Sequence, residues 1–391
     1  MKIFLLTSKL NFKSAGGSVV DLDLKARGLA ALGHDVTVIT AFSYNNIITT
    51  EPPYKVTEET IPYRGLLGIQ YRAYSILKKY ENATDAFYID GQIFVYGGGL
   101  YRLLGGKKPV TAFFNTWINR PDAPQGVVPP PLTSRKKLKK RIRLMIEHSI
   151  GVFLANCMDA FIFTTPMVQQ LYLDWGFNKA KSNIIPDFVD MGSLTKKYAV
   201  TEKTIIAHQK NVDKVIVFST GRMIPEKGFD LIIKAFALIQ NKEKYKVILS
   251  GGGPDKERLE SLVAALGLKE YFAFPGWLDR DALNQLILDA HVFIFPKWWI
   301  EYTSVLLMET FAFGLPCIIP RGGAIEWLTD YKAPTFKADD HKEMAMRVEE
   351  LGMSENRRTE IALAMFKRQE ALDYRILLKK MAEVILGTVK K

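Results

Sequence analysis

Short apolar runs rich in β-branched and aromatic residues alternate with amphipathic stretches along most of this chain, and that order restricts the fold more than any single residue does. The chain opens on Lys2-Ile-Phe-Leu-Leu-Thr7 and passes a loop containing Ala15-Gly16-Gly17-Ser18. A predicted helix, Val19–Leu32, closes at Gly33, and a second run, Asp35–Thr40, completes a βαβ unit. The order recurs through Asp85–Asp90, a helix around Phe94–Leu104, Pro109–Phe114, Ala160–Thr164, a helix over Pro166–Trp175, and Asn183–Pro186. A polar stretch, Thr195–Asp213, then marks a crossing between domains. Beyond it the pattern restarts: Val215–Thr220, a helix over Gly228–Gln240, Tyr245–Ser250, a helix over Asp255–Leu266, Phe272–Phe274, a helix over Arg280–Asp289, and Val292–Phe295. Near-continuous apolar strands of this kind are buried on both faces, as in parallel sheets covered by helices. The expected architecture is α/β, with two doubly wound parallel-sheet (Rossmann-like) domains, residues 1–195 and 212–373, facing a cleft. Ligands are then expected at the carboxyl ends of the strands.

A chain of 391 residues, 48% apolar and 24% charged, is long enough for two substantial cores and has the composition of a soluble globular protein. Met1–Leu6 is too short for a signal sequence before Lys9 and Lys13 interrupt it, and no stretch approaches the roughly 20 apolar residues of a spanning helix. Cys157 and Cys317 fit no zinc or redox spacing and read as buried thiols. These features predict a cytoplasmic location.

The net charge of +12 is concentrated. Arg135, Lys136, Lys137, Lys139, Lys140, Arg141 and Arg143 place seven cations in nine positions, while Leu138, Ile142, Met145 and Ile146 fall on one helical stripe. Two uses fit this basic amphipathic helix equally: docking on an anionic membrane surface, or a solvated helix packing its stripe on the core. No aromatic interleaving accompanies the cations, so nucleic acid is not the expected partner.

Chemistry-bearing residues gather at the predicted strand ends of the second half. Gly221-Arg222 and Glu226-Lys227-Gly228 follow the first strand, where Arg222 suits a bidentate phosphate contact and Lys227 a point charge. Gly251-Gly252-Gly253 closes the next strand, serving a close ligand approach or a tight turn. Pro275-Gly276-Trp277 closes the third. After the fourth, Glu301 and Glu309 bracket a predicted helix from Thr303 to Phe313, and on an ideal helix they stand about 12 Å apart along the axis. That is about the span of a sugar diphosphate from ribose to sugar, with the helix start at Thr303, Ser304 and Val305 between them. Two solvated carboxylates would explain the pair on its own.

Taken together, Gly221-Arg222…Glu226-Lys227-Gly228, Gly251-Gly252-Gly253, Phe274-Pro-Gly276 and Glu301-x7-Glu309 resemble the nucleotide-sugar domain of the retaining GT-B glycosyltransferases of family 4. Gly16-Gly17 and Ile185-Pro-Asp-Phe-Val-Asp190 extend the likeness to the first half. The resemblance implies that Glu301 holds the donor sugar, Glu309 the ribose, Arg222 and Lys227 the phosphates, and that Gly16 and Gly17 lie under the diphosphate. It also implies that the last helix, about 374–391, crosses back to the first domain. Many members carry a His after the strand ending at Phe114; this chain has Asn115, which can orient a hydroxyl but cannot act as a base. That suits a retaining mechanism in which the leaving phosphate takes the acceptor proton. The five histidines, His34, His148, His208, His291 and His341, are scattered and read as core or solvated residues.

The expected protein is therefore a hexosyltransferase, without a cofactor or metal, that uses a UDP- or GDP-sugar. The expected acceptor is a lipid-linked or membrane-associated glycan or glycolipid on the cytosolic face, with the basic helix (Arg135, Lys136, Lys139, Lys140, Arg143) as the membrane or acceptor surface. A soluble acceptor is the alternative, and a nucleotide-sugar epimerase on the same architecture the more distant one.

Overall fold

The computed structural model describes residues 1–13, 17–62, 65–116, 134–296 and 302–389, with only the backbone of 134–137 and 140. The chain divides into two compact units. The first runs to Val189 and takes back the terminal segment from Leu372; the second holds Asp190–Ala371.

The first unit is built on seven strands: β1 (Lys2–Thr7), β2 (Asp35–Thr40), β3 (Lys55–Glu58), β4 (Ala86–Asp90), β5 (Val110–Phe114), β6 (Ala160–Phe163) and β7 (Ser182–Ile184). All pair in parallel in the order β3-β2-β1-β4-β5-β6-β7. The inner strands are apolar along their length because helices cover both faces, as in other all-parallel sheets. On one face lie the helices Gly17–Ala31 and Tyr374–Val389. Leu377, Leu378, Met381, Ala382 and Ile385 of the terminal helix join Leu5, Leu22, Ala26, Tyr88, Phe113 and Ile162 in one core. The two helices approach closely over Gly28, where a Cβ would lie 2.6 Å from Leu378 Cδ2.

The second unit carries six parallel strands: β8 (Val215–Arg222), β9 (Tyr245–Gly252), β10 (Phe272–Gly276), β11 (Val292–Ile294), β12 (Cys317–Pro320) and β13 (Thr335–Phe336), in the order β10-β9-β8-β11-β12-β13. Each sheet winds outward in two directions from its first strand. The switch points therefore lie between β1 and β4 and between β8 and β11, where the following helices leave on opposite faces and open a crevice beyond the strand ends.

Two expectations are corrected. The polar stretch 195–213 is not a linker: the division falls between Val189 and Asp190, and the stretch contains parts of two surface helices of the second unit, Met191–Lys197 and Glu202–Gln209. Its polar residues are caps and anchors. Thr201 accepts from the Thr204 amide and Thr195 Oγ1 donates to the Ala312 carbonyl, while Asp190, just before the stretch, accepts from the Ser193 amide. The helix expected over 303–313 is only Val305–Phe311, because Ser304 caps it by accepting from Leu307 N–H. β3, β12, β13 and the helix Leu66–Tyr80 carry no counterpart in the sequence reading.

The terminal helix is integral to the first unit's core, so Ile385→Ala should cost about 2–5 kcal/mol, as for other buried Ile truncations. Urea unfolding followed by near-UV circular dichroism checks this; a loss under about 0.5 kcal/mol would mean the helix is only loosely attached.

Candidate functional site

In the second unit, strand ends and glycines shape one surface around β8. Gly221 pairs with Gly251 at the end of the β8–β9 ladder. Gly251 has φ 108°, and a Cβ on it would stand 2.0 Å from the Gly221 carbonyl oxygen; at Gly253, φ 155°, a Cβ would stand 2.3 Å from that of Met223. Only glycine permits both conformations at this spacing. The contact is fixed by Met223 N–H to Gly252 O at 2.9 Å and Asp255 N–H to Met223 O at 3.1 Å. These glycines thus have a structural duty, locking the segment that carries Arg222 against the end of β9. Gly252 faces the indole of the exposed Trp277, and the carbonyl of Gly276, φ 81°, accepts from Ser250 Oγ.

Arg222 is exposed at the end of β8. Lys227 ends a single helical turn, Pro225–Lys227, and Gly228, φ 71°, turns the chain into the helix Phe229–Leu238. Lys227 is half-buried, and burial holds its ammonium below the usual lysine range. A desolvated cation of this kind gains more from an arriving anion than a solvated one does.

Glu309, on Val305–Phe311, is only 3% exposed. Burial raises its pKa, opposed by the charge of Arg280, whose Nη1 donates to Oε2 at 3.2 Å while Nη2 donates to Oε1. Thr303, Ser304 and Val305 are half-buried beside it in sequence. Glu301 and Gly16 lie outside the described residues; Gly17 is exposed at the start of Gly17–Ala31. Among the described residues no group of three His, Cys, Asp or Glu is placed to hold a metal.

In the first unit, Asp90 ends β4 beside Thr7, which ends β1 and donates to it at 3.4 Å. Half-buried Asn115 and fully buried Thr164 directly follow β5 and β6. The segment carrying Asn115 is held by Tyr172 Oη donating to the Thr116 carbonyl at 3.0 Å. Beneath these ends lies a buried ion pair on Gly17–Ala31. Lys25 Nζ stands 2.5 Å from Asp21 and 3.2 Å from the Phe113 ring centroid, and Asp21 accepts from Phe188 N–H at 2.6 Å. Burial pushes the Asp90 carboxyl up to about 7; Lys25 and Thr7 oppose the shift and Asp21 adds to it.

The sequence reading missed Arg280, Asp90 and the Asp21–Lys25 pair. The only signal for the pair was its spacing of four inside a helix whose other inward positions are apolar. The histidines stay away from the strand carboxyl ends of the second unit where they are buried. His291 stacks on His208 at 4.4 Å between ring centroids, and its Nδ1 accepts from Ile216 N–H near the start of β8.

The basic helix, Ser134–Ile146, continues through a π-helical turn, Glu147–Gly151, into Val152–Asn156. Its apolar stripe does not pack on the core. Leu138, Ile142, Met145, Ile146, Ile150 and Phe153 are all exposed, Met145 at 70% and Phe153 at 59%. Lys139, Arg141 and Arg143 are exposed with them, while the side chains of Arg135, Lys136, Lys137 and Lys140 lie outside the described residues.

The raised Asp90 pKa has a definite sign. Between the unfolded value of 3.8 and about 7 the folded chain binds more protons, so this group lowers stability as pH rises through that window. Asp90→Asn should therefore flatten the fall in the first unit's melting midpoint between pH 5 and 8 and raise the midpoint at pH 8. An unchanged slope in calorimetry would contradict the assignment.

Comparison with known proteins adds the family. The Glycosyltransferase Family 4 model matches residues 15–192 and the Glycosyl transferases group 1 model matches residues 200–367. The mannosylfructose-phosphate synthase of Agrobacterium fabrum is 24% identical over 215 residues, covering 52% of this chain and 46% of that protein. The GDP-mannose-dependent alpha-(1-6)-phosphatidylinositol monomannoside mannosyltransferase of Mycolicibacterium smegmatis is 28% identical over 131 residues, covering 32% of this chain and 34% of that protein. The matched part of this chain spans less than half the length of these curated relatives. The crystal structure of Anabaena HepE in complex with UDP superposes with a TM-score of 0.72 at 16% identity, covering 99% of this chain and 100% of that one, a likeness of fold. With two GT-B-type units and each half matched by its own family model, the chain belongs to the group 1 glycosyltransferases of family 4.

Proposed function

We propose that this protein is a retaining glycosyltransferase that moves a hexose-type sugar from a UDP- or GDP-sugar to an acceptor hydroxyl on a lipid-linked or membrane-associated glycan or glycolipid. The observation that carries the donor half is the convergence on the β8 side of the second sheet. Arg222, the desolvated Lys227, the locked glycine turn and Glu309 all stand at strand carboxyl ends or on the elements that follow them. Breaking a sugar–diphosphate bond builds negative charge on the β-phosphate and positive charge at the anomeric carbon. Arg222 and Lys227 offset the first without a metal, and preorganised charge of this sort is commonly the largest catalytic term. Glu301 holds the sugar hydroxyls, and Glu309 takes the ribose. Exposed Trp277 offers an aromatic face to the base at the end of β10.

In a retaining transfer the leaving phosphate oxygen accepts the proton of the attacking hydroxyl, so no separate base is required. Asn115 suits that chemistry, orienting a hydroxyl without titrating. HepE was crystallised with UDP, and the Mycolicibacterium relative is named as GDP-mannose-dependent; together they support a uridine or guanosine diphosphate donor by analogy.

The exposed stripe of the basic helix carries the acceptor half. Six large apolar side chains standing in solvent beside Lys139 and Arg141, with Arg143 paired to Glu147, suit an anionic lipid surface, which buries the first and neutralises Lys139 and Arg141. The Mycolicibacterium relative is named for a phosphatidylinositol-based acceptor. No helix among the described residues is long and apolar enough to cross a membrane, so the contact proposed is peripheral.

Lys227→Ala should lower kcat by about 10²–10³-fold, the usual cost of removing a group that stabilises transition-state charge, with the melting midpoint retained. Wild-type turnover in that variant would sink the donor-site assignment. In sedimentation, the protein should bind phosphatidylglycerol vesicles and not phosphatidylcholine vesicles, and release with added salt. Met145→Asp with Phe153→Asp should abolish that binding. Indifference to lipid charge, or full binding by the double variant, would remove the membrane half.

A further inference from the structure

Glu309 is held in a way that neither the family pattern nor the site assignment above accounts for. Its carboxylate, almost wholly buried, meets the guanidinium of Arg280 end on: Nη1 donates to Oε2 at 3.2 Å and Nη2 to Oε1. Arg280 opens the helix Arg280–Asp289, directly after its cap Asp279, which accepts from Ala282 N–H at 2.8 Å. A cation in the first turn of a helix is opposed by the helix dipole, so the helix itself gives no reason for Arg there. Nor does the neighbouring acid take it, since Asp281 is engaged by Lys197 at 2.5 Å. What Arg280 reaches for is Glu309.

The consequence lies in the lone pairs. A carboxylate offers about four acceptor directions, and a two-point guanidinium fork uses one on each oxygen. One remains on each, at opposite outer edges of the carboxylate and fixed in direction. An outer acceptor of fixed direction matches a single ribose hydroxyl. Without the fork, a carboxyl this buried is driven towards its protonated form, which offers fewer acceptors and is free to rotate.

We propose that Arg280 is a positioning residue for the nucleotide's ribose: it fixes the Glu309 carboxylate so that an outer lone pair faces a ribose hydroxyl. The proposal rests on the reading of Glu309 as the ribose anchor. Arg280 touches neither the sugar nor the phosphates; it acts through Glu309. Lysine would restore charge but not the two-point hold.

Calorimetric titration of the full chain with UDP, GDP and ADP, each beside its 2′,3′-dideoxy counterpart, separates the possibilities. The wild type should favour the ribose form of the nucleotide it binds by about tenfold or more, equivalent to about 1.4 kcal/mol. In Arg280→Ala that preference should collapse to within about twofold, because the ribose form weakens while the dideoxy form binds as before. Arg280→Lys should fall between, and it carries the test should the alanine variant fail to fold. An undiminished ribose preference in Arg280→Ala and Arg280→Lys would overturn the proposal while leaving Glu309 as the anchor. So would tighter binding of the ribose form, which would make Arg280 an occupant that the ribose must displace. A wild type that binds none of the nucleotides, or ignores the ribose hydroxyls, would overturn the reading of Glu309 together with the role of Arg280.

Discussion

In both units the sheet winds in opposite directions from an inner strand, β1 in the first and β8 in the second, and the reversal governs what the neighbouring residues can do. Helices leave the two strands at each switch point on opposite faces, so backbone and side chains beyond the strand ends are not roofed over. In the second unit this is where Arg222, Lys227 and the Gly251–Gly253 turn lie. In the first it is where Thr7 and Asp90 meet. The same winding buries the strands on both faces, which supplies the rigidity that keeps these groups in place. The candidate site is thus a by-product of sheet topology, elaborated by a handful of polar side chains.

Most of the inner strands were readable from sequence because inner parallel strands are largely apolar, although β12, an inner strand of the same kind, was not read. Val215–Thr220, Tyr245–Ser250 and Val110–Phe114 all carry that signature, and the structure extends the first two only by the glycine-bearing ends that turn out to matter. Glycines at strand ends were readable as punctuation, but not their reason: Gly251 and Gly253 press on the carbonyls of Gly221 and Met223, a contact between distant segments that leaves no local trace. Arg280 was unreadable for the same cause, since its partner lies 29 positions away on another helix. The stretch 195–213 misled because capped surface helices and linkers share a polar composition; only the cap bonds of Asp190 and Thr201 tell them apart. The basic helix was recognised, yet its amphipathic pattern fits both a buried and an exposed stripe, and exposure of Met145 and Phe153 distinguishes them.

Charge is arranged differently in the two units. In the first, Lys25 is sealed against Asp21 and the Phe113 ring, close enough for both charges to act on Asp90. Buried pairs of this kind cost desolvation and contribute more to geometry than to stability, and here the geometry fixed is that of the β1 and β4 ends. In the second, Glu309 is tied by a half-exposed arginine, while the exposed Arg222 and the desolvated Lys227 stand at the end of β8 and in the turn after it.

Hydrogen exchange with UDP-glucose, GDP-mannose and ADP-glucose would test most directly whether the strand ends of the second unit hold a nucleotide-sugar. One of the three should slow exchange at residues 221–228, 251–254, 276–280 and 302–309 together, because one ligand would span the phosphate, base and ribose contacts at once. Unchanged exchange with all three, or protection confined to the first unit, would contradict the donor site.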